Sequence, residues 1–212
     1  MDMLAEPNAI AQFREAGGEV DYSIFCNFSD DPQSLEQAVE CHLLARATPY
    51  WKPWVKVENI KSLPHELIDE IRFFGDWYDA ENSSLRLLGS GNIKGMGRVS
   101  DPLYKDLKGC RVDYWGHNPP GIGSGGQYAY AFCCPPHGLG ASFDQIQDWF
   151  DAINKIILPQ NIPSVITDWS SARLGHLSNY FEAGLEWWGV FMFTIGVPEI
   201  QQLTVISAST TD

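Results

Sequence analysis

The stretch from Ser142 to Ile157 constrains this chain most, because one backbone conformation suits it far better than any other. Phe143, Ile146, Phe150, Ile153 and Ile157 recur at alternating helical steps, the spacing that lines one face of an α-helix. Ser142 can cap the first turn with Gln145 placed as in a capping box, Asp144 and Asp148 favour its positive end, and Pro159 stops the helix. Burying five such side chains contributes on the order of 10 kcal/mol, an upper bound because unfolded chains already hide some surface. Such a face needs a partner layer.

The rest of the sequence predicts a sheet for that layer. Trp187 to Ile195 and Leu203 to Ser207 flank Gly196-Val197-Pro198-Glu199 and read as a β-hairpin. Leu85 to Leu88 and Ile93 to Val99, around Gly89-Ser90-Gly91-Asn92, read as another. A third is predicted from Cys110 to Gly138, with arms Cys110 to Trp115 and Gln127 to Cys134, a Pro/Gly loop from Gly116 to Gly126, and a Pro135-Pro136-His137-Gly138 exit. Tyr22 to Phe28 and Ser164 to Thr167 suit short strands, and Tyr50 to Val55 an edge strand or packed loop.

Four further helices are predicted. One covers Ala9 to Glu15. The second starts at Asp31-Pro32, capped by Asp31, with Leu35, Val39, His42 and Arg46 on one stripe. The third starts at Ser62 with Leu67, Ile68, Ile71 and Phe74 inward, stopped by Gly75; the fourth follows Asp168-Trp169-Ser170-Ser171 with Leu174, Leu177 and Phe181 inward. Hairpins separated by helices, rather than regular βαβ units, imply an α+β fold. The expected form is a single domain over residues 1–212, with a mainly antiparallel sheet built from hairpins, helices packed on one face, and residues 1–21 as a loosely packed arm.

A formal charge of −13 in 212 residues argues against nucleic acid and against anionic membranes. Beyond Arg111 only Lys155 and Arg173 are basic, against nine acidic residues, so a macromolecule bound there is expected to be basic. The first residues carry acidic groups and no apolar leader core, and no apolar run is long enough to span a bilayer. Five cysteines without framework spacing fit a reducing compartment, so a cytoplasmic location is expected.

Candidate chemistry concentrates near the third hairpin. The run Gly121-Ile122-Gly123-Ser124-Gly125-Gly126 contains a G-x-G-x-x-G match, but a dinucleotide site needs a helix after it, and Gln127 to Phe132 reads as a strand. His117, His137 and His176 are the candidate acid/base groups, with Asp168 or Asp113 as carboxylate partners and Cys134 as a nucleophile only if its thiol is activated. His42, on its helix stripe, reads as a satisfied interior histidine, and His65 as solvated. No zinc-knuckle or zincin spacing is present, and neither metal nor cofactor is expected.

Eight Trp, eight Tyr and eleven Phe imply an aromatic-rich interior and leave room for an aromatic pocket or interface, for which Trp115, Tyr128, Tyr130, Trp169, Trp187 and Trp188 are the candidates. In Trp187-Trp188, neighbours on a strand, one indole should face the core and the other outward. Two functions follow as expectations: an acidic, soluble binding protein, of inhibitor or immunity type, for a basic protein partner; and, as the alternative, an enzyme acting on a small apolar or aromatic molecule with histidine as general acid/base.

Overall fold

A computed structural model describes residues 1–29, 31–93, 96–110 and 127–210. In chain order the elements are β1 (Asp2–Met3), α1 (Asn8–Glu15), β2 (Val20–Cys26), α2 (Pro32–Leu44), β3 (Glu66–Ile68), α3 (Glu70–Phe74), β4 (Tyr78–Asp79), β5 (Ser84–Leu85), β6 (Ser90–Ile93), β7 (Gly97–Ser100), α4 (Tyr128–Cys133), α5 (Phe143–Ile157), β8 (Val165–Asp168), β9 (Val190–Val197) and β10 (Gln202–Ser209). Six strands form one sheet in the order β1-β2-β10-β9-β8-β3, and every neighbouring pair is antiparallel. The fold is α+β.

Strand alternation sorts the side chains onto two faces. Tyr22, Ile24, Phe193, Ile195 and Ile206 belong to one buried cluster, which they share with residues of α1, α3, α4 and α5. Phe25, Met192, Leu203 and Val205 belong to a second cluster, with residues of α2 and of the turns carrying Leu174, Leu177 and Phe181. Helical cover is therefore present on the second face as well as on the face that takes the long helix.

That long helix is α5. All five residues of its predicted stripe are buried, and the Ser142 N–H donates to Gln145 Oε1 at 3.0 Å. In α2, Asp31 Oδ1 accepts the N–H groups of Gln33 and Ser34 at 2.9 Å each, and Pro32 follows at the first helical position. The predicted hairpin near the C-terminus forms as β9 and β10, running from Gln202 opposite Val197 to Ser209 opposite Val190.

Four local expectations are corrected. Residues 1–21 are not a loose arm: β1 pairs with β2, and Phe13 is fully buried, stacked on Phe132 at 4.0 Å. The helix predicted from Ser62 is instead a 3₁₀ turn at Val57–Ser62, then β3 and α3, because residues 66–68 take up the open edge of β8; Leu67 and Ile71 are each 71% exposed. Asp69, rather than the expected Ser62, caps α3, and Gly75 ends it as the sequence indicates. The segment expected as a turn at Gly89–Asn92 enters the ladder, Ser90 opposite Ser100 and Ile93 opposite Gly97, so the chain reverses beyond Ile93.

The fourth correction concerns Gln127 to Cys134. It is a helix, α4, whose six residues are all buried. Aromatic and small residues alternate there, but with core on every side the alternation selects no face, so period two carries no strand information. Beyond Cys110 the first arm of that expected hairpin, its glycine loop, and with them Asp113, Trp115 and His117, lie outside the described residues. A helix after the glycine run removes the stated ground against a nucleotide loop. Against it now stands the sheet, which has no parallel pair among the described strands, as a βαβ nucleotide unit would require.

Candidate functional site

The surface site with most sequence-encoded definition lies at the sheet end where β9 begins and β10 ends. Residues 179–189 approach it as 3₁₀ turns, Asn179–Phe181 and Ala183–Leu185. Gly184 sits beneath them. Its N–H donates to Ser209 Oγ at 3.0 Å and its carbonyl accepts the Gly189 N–H at 2.9 Å. A β-carbon on Gly184 would lie 2.1 Å from the Gly189 carbonyl oxygen, so only glycine allows this approach.

Trp188 anchors the start of β9. It is fully buried, touches Tyr130 and Phe191 edge-on or tilted, and donates its indole N–H to the Cys134 carbonyl at 2.8 Å. Trp187, one residue earlier, is 43% exposed, with exposed Glu186 beside it and exposed Glu182 on the preceding turn. One indole is buried and the other exposed, as the sequence suggests, but strand alternation is not the cause, because both residues lie in the turn before β9, which begins at Val190.

Sheet register brings a distant segment to the same end. Val20 pairs with Ala208, which places Glu19 beside Ser209 and the Gly184 turn. Burial and the neighbouring Asp21 push the Glu19 carboxyl up, while His137 pulls it down. Asp21 is engaged by Arg46 and by the Tyr180 hydroxyl, which donates to Oδ2 at 2.8 Å. The exit of α4 closes alongside, since the Gly140 N–H donates to the Ala16 carbonyl at 2.8 Å.

The other sequence candidates lie apart. His137 is exposed at this end. His176 is exposed within the 3₁₀ turn Ala172–His176 on the second face, where its carbonyl accepts from Asn59. Asp168 is buried at the end of β8 on the first face, accepts the Ser170 N–H at 2.8 Å, and feels Arg72. These three come from different elements and from both sides of the sheet.

Cys133 and Cys134 end a helix rather than a strand, so their sulfurs lie on one side, 3.7 Å apart, instead of on opposite faces. Burial and the adjacent Cys133 push the Cys134 thiol well up, the opposite of what a nucleophile needs. Tyr128 and Tyr130, expected at a binding surface, are core residues: the Tyr128 hydroxyl bonds Tyr22 at 2.8 Å, and the Tyr130 ring packs between Trp77 and Trp188. Trp169 is buried on the second face, its indole N–H donating to Thr194 Oγ1 at 3.0 Å. Among the described residues no group of three or more His, Cys, Asp or Glu is assembled to hold a metal.

His42 is fully buried and doubly bonded, Nδ1 to Ser23 at 2.9 Å and Nε2 to Ser207 at 2.7 Å, which makes it a structural residue. Sequence reasoning missed Glu19, Glu182 and Glu186 as companions of Trp187. The acid–Trp order of Glu186-Trp187 was visible; the arrival of Glu19 was not, because it depends on the β2–β10 register. No helix among the described residues is long and apolar enough to cross a membrane. Comparisons with protein-family models, with curated proteins and with solved structures find no match for this chain.

Proposed function

We propose that this chain is a non-catalytic binding protein that recognises a basic protein partner, in an inhibitor- or immunity-type role, through the sheet end bearing Trp187, Glu182, Glu186 and Glu19. The observation that carries this reading is the exposed Trp187 indole, flanked in sequence by exposed Glu186 and, one turn earlier, exposed Glu182, and followed by Trp188, which is buried and anchored to the Cys134 carbonyl. A rigid aromatic supplies contact area at little entropic cost, and interface tryptophans of this kind often dominate affinity. The surrounding acids steer a basic surface toward it and add salt-sensitive encounter rate. His137, His176 and Asp168 lie on different elements and the Cys134 thiol is raised, which weakens the enzymatic alternative as the sequence drew it; the acid/base pairing present at the sheet end is His137 with Glu19.

Affinity capture from the source cell with the wild-type chain and with Trp187→Ala tests the reading. The wild type should retain a stoichiometric basic protein, and the variant should hold it about tenfold or more weakly, since truncating a central tryptophan costs roughly 2 kcal/mol or more. Retention of a small metabolite alone, or the same protein held equally by both forms, would defeat the proposal.

A further inference from the structure

We propose that the groove between the first turn of α2 and the second face of β8, β9 and β10 binds a small neutral molecule with an apolar body and a hydrogen-bond acceptor. The groove encloses about 570 Å³, within the ordinary range for small-molecule sites. It lies at the end of β9 and β10 remote from Trp187, toward Val197 and Gln202, so it is a second site, independent of the proposed protein interface.

Its walls are apolar. Phe28, Leu35, Val197 and Leu203 line the helix and strand sides, and Trp169 closes one flank. The Trp169 ring is fixed before any ligand arrives, with the His65 ring packed against it at a tilt, centroids 4.4 Å apart, and its indole N–H held by Thr194. The floor carries Gly196, next to the end of β9 and paired with Leu203 and Val165 of the flanking strands, and a β-carbon there would meet nothing nearer than the Val165 carbonyl oxygen at 4.0 Å. A strand glycine with open space above it is where a ligand can approach the backbone closely.

The polar groups define the ligand further. Asp31 sits at the rim, but its Oδ1 accepts two backbone N–H groups and its Oδ2 the hydroxyls of Ser29 and Ser34. These bonds hold its carboxyl down at about 2, so it stays ionised with its acceptor positions taken. It also occupies the N–H groups at the start of α2, which removes the donors an anion would use. A charged ligand therefore meets either a repelling carboxylate or one already saturated. Thr194, only 5% exposed, lines the groove and accepts from Trp169, and its hydroxyl carries one hydrogen that a ligand oxygen can accept. A carbonyl or ether oxygen on an otherwise apolar molecule matches that donor, the most buried of the polar side chains in a lining that also includes Ser29, Thr167 and Gln201. Among the described residues no histidine or cysteine lines the groove.

Nile red, a neutral aromatic dye with a carbonyl, serves as the probe, and pyrene as the acceptor-free control. The wild type should bind both saturably, one molecule per chain, with blue-shifted Nile red emission. Gly196→Val fills the floor, and Val165→Glu places a charge at a position 48% exposed on the groove wall; each should weaken Nile red at least about tenfold. Val165→Glu decides the matter if Gly196→Val does not fold. Thr194→Val should weaken Nile red by about three- to tenfold and pyrene much less. Trp187→Ala should bind both dyes like the wild type. Absence of saturable binding to the wild type, or affinities unchanged in the two groove variants, would overturn the site; equal losses of both dyes in Thr194→Val would overturn the acceptor requirement.

Discussion

Gln147 shows how much a single polar side chain holds in place here. It lies buried on α5, its Oε1 accepting the Leu85 N–H at 2.8 Å and the Ser84 hydroxyl at 3.2 Å, while its Nε2 donates to Asp151 at 2.8 Å. Leu85 is fully buried, so Gln147→Leu leaves its N–H without that acceptor. The expected loss is about 2–3 kcal/mol, read as a lowered urea midpoint. His42 makes a second residue-scale case. Burial, with the Arg46 charge nearby, pushes its imidazolium well below the ordinary 6.5. Below that pH the unfolded chain takes up a proton that the folded chain refuses, so stability falls with falling pH by at most about 1.4 kcal/mol per unit. Glu19 acts in the opposite sense, because its raised carboxyl favours the folded state as the pH falls. The difference between wild type and His42→Gln isolates the histidine: urea midpoints between pH 6.5 and about 5 should drop less in the variant, and parallel curves would contradict the assignment.

At the scale of elements, the turn that presents Trp187 depends on Gly184. Gly184→Ala drives a β-carbon into the Gly189 carbonyl, so the turn must move. A loss of about 2 kcal/mol or more is expected, measured by thermal unfolding, together with weakened partner binding. Elements were legible in the sequence where local chemistry and burial agreed. The capped stripe of α5, the Asp31-Pro32 start of α2 and the β9–β10 hairpin each carry a boundary residue together with a one-sided apolar pattern. They were illegible where distant partners decided. Residues 66–68 became a strand because β8 offered an edge, and Tyr128 to Cys133 became a helix because core surrounds it on all sides. The site divides the same way: the interior role of His42 follows from local spacing, whereas the exposure of Trp187 beside buried Trp188 is set by the turn before β9, and the Ser23 and Ser207 partners of His42 and the arrival of Glu19 require the β2–β10 register.

Across the whole molecule, the two proposed recognition surfaces lie at opposite ends of β9 and β10 in one antiparallel sheet. The acidic, Trp187-bearing end suits a basic macromolecule, and the apolar groove at the other end suits a small neutral one. A net charge of −13 makes the first electrostatic in character, so its strength should depend on ionic strength as well as on contact. The most direct measurement is the dissociation constant of the captured basic partner for wild type and for Glu182→Lys/Glu186→Lys, across roughly 50 to 500 mM salt. The wild type should bind tightly at low salt and weaken steeply as salt rises, while the charge-reversed form binds at least about tenfold more weakly at low salt with a flatter dependence. Equal affinities with equal salt slopes would place recognition elsewhere on the molecule.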